Sequence, residues 1–125
     1  MAQKLTPPQM EEMYESLQPL LKYSNRVGYI AARNARRLRT ELTEYIDRKG
    51  ALMREYGTEE RDEDGNPTGR WTVSLATEEG QTYLREIQQY MTIEHEVDIM
   101  RLPFDEAEGQ ITGQELLDAD WMFED

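Results

Sequence analysis

The chain has 125 residues, 38% of them hydrophobic and 32% charged, with a formal net charge of −12, one His and no Cys. The missing Cys excludes disulfides, thiolate nucleophiles and Cys-ligated zinc, and the acidity argues against direct binding to nucleic acid or anionic membrane. No apolar run nears the ~18–20 residues of a membrane span, and the start Met1-Ala2-Gln3-Lys4-Leu5-Thr6-Pro7-Pro8 has no signal-peptide core, so the expectation is one cytoplasmic domain, 1–125, with a thin core.

Residues 1–24 read as a helix and a loop. Thr6-Pro7-Pro8 is a helix start, because Thr caps and Pro is tolerated where the first-turn N–H has no partner. Met10, Met13, Leu17, Leu20 and Leu21 then recur at helical spacing. Pro19 ends or kinks this helix near Leu17.

A long helix over 25–56 is the strongest element, with no internal Pro. At 100° per residue, Val27, Ala31, Asn34, Leu38, Leu42, Tyr45, Leu52 and Tyr56 share one sector. Arg26, Arg33, Arg37 and Arg48 lie well away from it, and Arg36 and Arg54 lie on the far side. Such a helix is ~45 Å long, so its far end must pack on the other helices or on a second subunit. Gly57 ends it as a C′ residue.

Residues 57–69 form an acidic, turn-rich loop. In 70–125 the pattern is strand, helix, strand, helix. Trp71, Val73 and Leu75 alternate as a strand over 70–75. Thr77 caps a helix to Met91 that turns Tyr83, Leu84, Ile87 and Met91 inward. Ile93, Val97, Ile99 and Leu102 mark a second strand over 93–102, expected to pair with the first. Asp105–Gln110 is a loop, and Thr112 with Glu115 is a capping box for a last helix carrying Leu116 and Leu117.

Charge is segregated along this frame. From Lys22 to Arg54 there are nine Lys/Arg against three acids, whereas residues 55–125 hold four Arg against twenty Asp/Glu. The basic face (Lys22, Arg26, Arg33, Arg36, Arg37, Arg39) is a candidate docking surface for an acidic protein, or for nucleic acid through phosphate contacts. Alternatively, the acidic remainder folds back to neutralise about half of it. Arg33 and Arg37 repel one another at i, i+4, so an anion from elsewhere relieves them. The acidic residues Glu60, Asp62, Glu63, Asp64, Asp118 and Asp120 are the opposite candidate. They imitate phosphate charge in a partner's basic groove, or they only solvate the surface. Trp121-Met122-Phe123 closes the chain as a core plug or as an anchor, through Trp121 and Phe123, for a partner.

Catalytic patterns are lacking. Glu60–Asn66 has the acids of a calcium loop, but Trp71 stands at the twelfth position, where a bidentate Glu is required. His95 falls on the face of Val97 and Ile99, opposite Glu94, Glu96 and Asp98, and reads as a partly buried structural residue. No metal site and no cofactor is expected. A metal-dependent enzyme or regulator using His95 and the acidic loop is the rival reading.

Val27-Gly28-Tyr29-Ile30-Ala31, Asn34, Leu38, Glu41-Leu42, Tyr45, Arg48, Leu52 and Tyr56-Gly57, ahead of Asp62-Glu63-Asp64-Gly65-Asn66, resemble a family of small phage and prophage proteins of unknown function. Glu96-Val97-Asp98-Ile99 and the closing acidic helix are similar to that family's later segments. The resemblance implies a viral or mobile-element origin, in the host cytoplasm or in the virion, and no activity. The expected fold is α+β and mostly helical: a long central helix, shorter helices and a small antiparallel two-stranded sheet. The expected function is non-enzymatic binding of a host or viral protein, as an acidic inhibitor of nucleic-acid-handling or defence machinery, or as a virion or assembly component. A homodimer is a further expectation, with Asn34 and Lys49 as polar residues setting the register of its seam.

Overall fold

The computed structural model describes residues 2–125. The fold is α+β and mostly helical, built from β1 (Ala2–Leu5), α1 (Pro7–Leu17), α2 (Arg26–Tyr56), β2 (Thr58–Arg61), β3 (Pro67–Thr72), α3 (Glu78–Met91), β4 (His95–Asp98), β5 (Leu102–Pro103), α4 (Phe104–Ala107), α5 (Gly113–Asp118) and β6 (Phe123–Glu124). The strands form three two-stranded sheets: β1 with β4 antiparallel, β2 with β3 antiparallel, and β5 with β6 parallel. Among the described residues no helix is long and apolar enough to cross a membrane. The chain divides into two compact units, one running to Leu42 and resuming at Glu94–Asp125, the other comprising Thr43–Ile93. The first half of α2 belongs to the former and its second half to the latter.

In the first unit, α1 stops at Leu17, and Pro19 lies in the 3₁₀ segment Gln18–Lys22 that follows. Proline has no N–H to donate to the carbonyl four residues behind it and its ring clashes with that carbonyl, so the chain tightens instead of continuing as α-helix. Asn25 then starts α2, its side chain accepting the Gly28 N–H at 3.0 Å. A Cβ on Gly28 would stand 1.9 Å from the Tyr23 carbonyl oxygen, so the sharp return of the chain over this helix start requires glycine. Met10, Leu17, Leu20, Val27, Ala31, Leu38 and Leu42 are buried together with Val97, Ile99, Leu102 and Met122. The apolar sector expected for α2 is thus the buried one, with Ile30 and Ala35 added to it.

Asn34 is fully buried. It is not a seam residue for a second subunit: its amide donates to the Met100 carbonyl and its carbonyl accepts from the Met100 N–H, both at 2.9 Å. One helix side chain thereby satisfies both backbone groups of a residue just past β4.

In the second unit, the expected acidic loop over 57–69 is mostly a β-hairpin. β3 begins at Pro67, earlier than the strand expected over 70–75, and pairs with β2; β4 pairs with β1. The two strands expected to pair with one another therefore belong to different sheets. The local cause is the turn: the Asp62 carboxylate accepts the N–H groups of Asp64 and Asn66 at 3.0 and 2.8 Å, and Gly65 has φ +82°. Asx-type bonding and a left-handed glycine make Asp62–Asn66 a tight reversal, so the flanking residues can pair locally. Gly57 is not among the positive-φ glycines, so it is no left-handed C′ residue. Its missing Cβ instead admits the carbonyl oxygens of Met53 and Thr72, each 2.5 Å from the ideal Cβ position. Thr77 caps α3 as expected, accepting from the Gly80 N–H at 2.9 Å. Ile87 is buried on its inner face, and Tyr83, Leu84 and Met91 are half-buried.

Residues 105–110, expected as a loop, begin inside the single turn α4. The capping box before α5 forms as expected, Thr112 and Glu115 exchanging bonds of 3.0 and 3.1 Å.

Candidate functional site

Three side chains of α2, spaced at about one helical turn, hold the segment around β4 in the first unit. Asn34 takes the Met100 backbone. Arg37 Nη1 donates to the Asp98 carboxylate at 2.7 Å and to the Asp98 carbonyl at 2.9 Å. Glu41 Oε1 lies 2.9 Å from His95 Nδ1. The alternation of β4 explains the division of labour: Val97 and Ile99 are buried, while Glu96 and Asp98 face solvent. Asp98 is thus the tertiary anion that relieves the repulsion expected between Arg33 and Arg37.

A cleft opens on each side of the Arg37–Asp98 rung. The smaller, of about 420 Å³, is lined by Arg33, Arg36, Arg37, Thr40, Glu41, Glu96, Val97 and Asp98. The larger, of about 600 Å³, is lined by Tyr29, Arg33, Arg37, Glu124 and the run Asp98–Arg101. Arg33 belongs to both, and its guanidinium lies 6.0 Å from the Tyr29 ring centre.

The basic face divides as the sequence allowed. Lys22 pairs with Glu115 at 3.3 Å, Arg26 with Glu106 at 2.8 Å and Arg37 with Asp98 at 2.7 Å. Arg33 and Arg36 are exposed, and among the described residues neither guanidinium has a carboxylate within ion-pair distance. Arg101, Tyr29 and Glu124 also line this region but were not singled out by the sequence. The Tyr29–Arg33 pair carried a readable signal in its i, i+4 spacing on a helix. Arg101 and Glu124 did not, because only the tertiary fold brings the ends of β4 and β6 to α2.

The acidic candidates fall in both units. Glu60, Asp62, Glu63 and Asp64 are exposed on the hairpin, although the Asp62 carboxylate is occupied by its own turn. Asp118 accepts from Gln114 at 2.8 Å, and Asp120 is exposed. Trp121 is half-buried and its indole N–H donates to Ser16 Oγ at 2.8 Å. Phe123 is half-buried in β6 opposite Leu102, and Met122 between them is fully buried. Trp121 also lines a groove of about 260 Å³ with Leu5, Gln9, Glu12, Met13, Ser16 and Asp118. His95, 24% exposed in its side chain, is partnered by Glu41. Among the described residues no three His, Asp or Glu side chains converge as a metal-binding group.

Glu115 is the most perturbed carboxyl. It accepts from the Tyr23 hydroxyl, from the Thr112 backbone and from Lys22, and these bonds to its charged form hold it down at about 2 against burial. The same bond to Glu115, then burial, raises Tyr23. The cluster ties the chain ahead of α2 to the start of α5.

Comparison with known proteins returns no matching family profile, no similar curated protein and no similar solved structure.

Proposed function

We propose that this is a non-enzymatic interaction protein of phage type that docks an acidic stretch of a host or viral protein along the arginines of α2. The observation that carries the reading is selective neutralisation. The chain supplies carboxylates to Lys22, Arg26 and Arg37, yet leaves Arg33 and Arg36 exposed at the smaller cleft. In a chain of net charge −12, two arginines without a carboxylate partner mark the place where an external anion meets least repulsion. An exposed ion pair contributes only about 0.2–1 kcal/mol. The arginines therefore steer and orient the partner, and its affinity needs several contacts along the helix. The resemblance of residues 26–66 to phage proteins supports the phage assignment.

A narrower reading is favoured by the hairpin. Every residue from Glu60 to Arg70 is exposed, so this segment covers no core, and Glu60, Glu63 and Asp64 are presented around a hydrogen-bonded turn. Such an arm fits the basic groove of a nucleic-acid-handling or defence protein, which would make the chain an inhibitor.

The test of the docking reading is fluorescence anisotropy with a labelled decaglutamate peptide at low salt. Saturable binding is expected, weakening as salt screens it and falling about tenfold or more in the Arg33→Glu/Arg36→Glu double variant. Binding indifferent to that substitution would remove the arginine face from the mechanism.

A further inference from the structure

The larger cleft carries chemistry that docking of an acidic chain does not use. Tyr29 is left 60% exposed in its wall, where it has little packing role, and the Arg33 guanidinium lies 6.0 Å from its ring centre. A tyrosine–guanidinium pair offers flat π surfaces on which a third planar ring stacks well. Arg101 lines the same cleft, exposed and without an ion pair among the described residues. Arg37 and Asp98 in the same wall neutralise one another as an ion pair, and the other carboxylate of the lining is that of Glu124, exposed on β6. The cleft of about 600 Å³ lies within the ~300–1,000 Å³ usual for small-molecule sites.

We propose that this cleft binds a nucleoside monophosphate: the base stacks at Tyr29 and Arg33, the phosphate is held by Arg101, and Glu124 accepts from the ribose hydroxyls. Each assignment follows from what the group offers. Guanidinium matches phosphate geometry in a bidentate fork. A carboxylate such as Glu124, not engaged by an arginine as Asp98 is, repels phosphate but accepts sugar hydroxyls, as acidic residues do in dinucleotide sites. A phosphotyrosine side chain has a ring and a phosphate but nothing for Glu124 to accept. A polynucleotide is disfavoured because every further phosphate would lie outside the cleft, against a surface of net charge −12.

The proposal shares Arg33 with the docking reading but stands apart from it through Tyr29, Arg101 and Glu124, which docking does not use. The experiment is an amide-shift NMR titration of the ¹⁵N-labelled full chain with adenosine, guanosine, cytidine and uridine 5′-monophosphates. Inorganic phosphate, ribose 5-phosphate and phosphotyrosine serve as comparison probes. Saturable shifts are expected at Tyr29, Arg33, Met100 and Arg101 with at least one mononucleotide. Affinity should fall about fivefold or more in Tyr29→Ala and in Arg101→Ala, both at exposed positions, with unchanged circular dichroism. Glu124→Gln should weaken a ribonucleotide more than its 2′-deoxy form. No saturable shift up to about 10 mM, equal binding of inorganic phosphate or phosphotyrosine, or an unaffected Tyr29→Ala variant would each overturn the site.

Discussion

Asn34 shows how much one side chain decides here. A polar residue inside an apolar helical stripe is commonly a specificity device at a helix–helix seam, and its sequence position fits that role. In the fold it is sealed against Met100 and satisfies two backbone groups at once. Asn34→Leu would keep the size and strip both backbone groups of the half-buried Met100 of their side-chain partner, at up to about 1–3 kcal/mol each. The expected loss is therefore several kcal/mol in urea denaturation, with the midpoint shifted and the slope unchanged. A loss below about 1 kcal/mol would mean that water reaches Met100 in the variant. Arg37 acts on the same segment, but from the surface, where its pair with Asp98 contributes less.

Among the elements, α5 depends most on a single group. Six residues are too few to be helical on their own, and α5 begins at a capping box whose Glu115 also receives Tyr23 and Lys22. Because Glu115 is held at about 2, below the ordinary 4.5, its charged form is bound more tightly in the folded chain than in the unfolded one. Its contribution is fully present above the ordinary value and is withdrawn as the pH falls from about 4.5 toward about 2. Glu115→Gln should flatten the stability–pH curve across that window, as followed by thermal melts in a pH series. An unchanged acid limb would assign the acid sensitivity to other carboxyls. The caps of α3 and α5 were readable because a Thr before a helical stripe is a short-range signal. The hairpin was only half readable: its acids suggested a solvated loop, whereas the Asp62 carboxylate and Gly65 build a reversal that lets β2 and β3 pair.

For the whole molecule, the two units differ in how well their cores are filled. In Thr43–Ile93 the buried apolar side chains are Tyr45, Leu52 and Ile87. Ile46, Leu75 and Ile93 of the same unit are 49%, 50% and 49% exposed. The other unit buries most of the stripe of α2 together with α1, β4 and the C-terminal segment. Local opening follows burial, so native-state hydrogen exchange should find α3 and the second half of α2 opening at lower free energy than α1 and the first half. Uniform protection along α2 would instead make the helix one cooperative block. The charge pattern belongs to this scale as well: long-range repulsion from a net charge of −12 is screened within about 8 Å at physiological salt, while the short-range contacts proposed at Arg33 and Arg36 would be screened less.

What the amino-acid order determined by itself is whatever depends on neighbours within a few turns. That includes the apolar sector of α2, the break at Pro19, the Thr77 and Thr112 caps, and arginines kept off the buried face. Hydrophobic period and capping are local physics, so they are legible in one dimension. Strand partners, the role of Asn34, the carboxylates assigned to Arg26 and Arg37, and the meeting of Tyr29, Arg101 and Glu124 were decided only by tertiary structure. Apart from the nearer pairings of β2 with β3 and of β5 with β6, these contacts join β1 or α2 to positions more than sixty residues away, and with acids so abundant the sequence offers many equivalent partners for every cation. Packing of the few buried side chains selects among them.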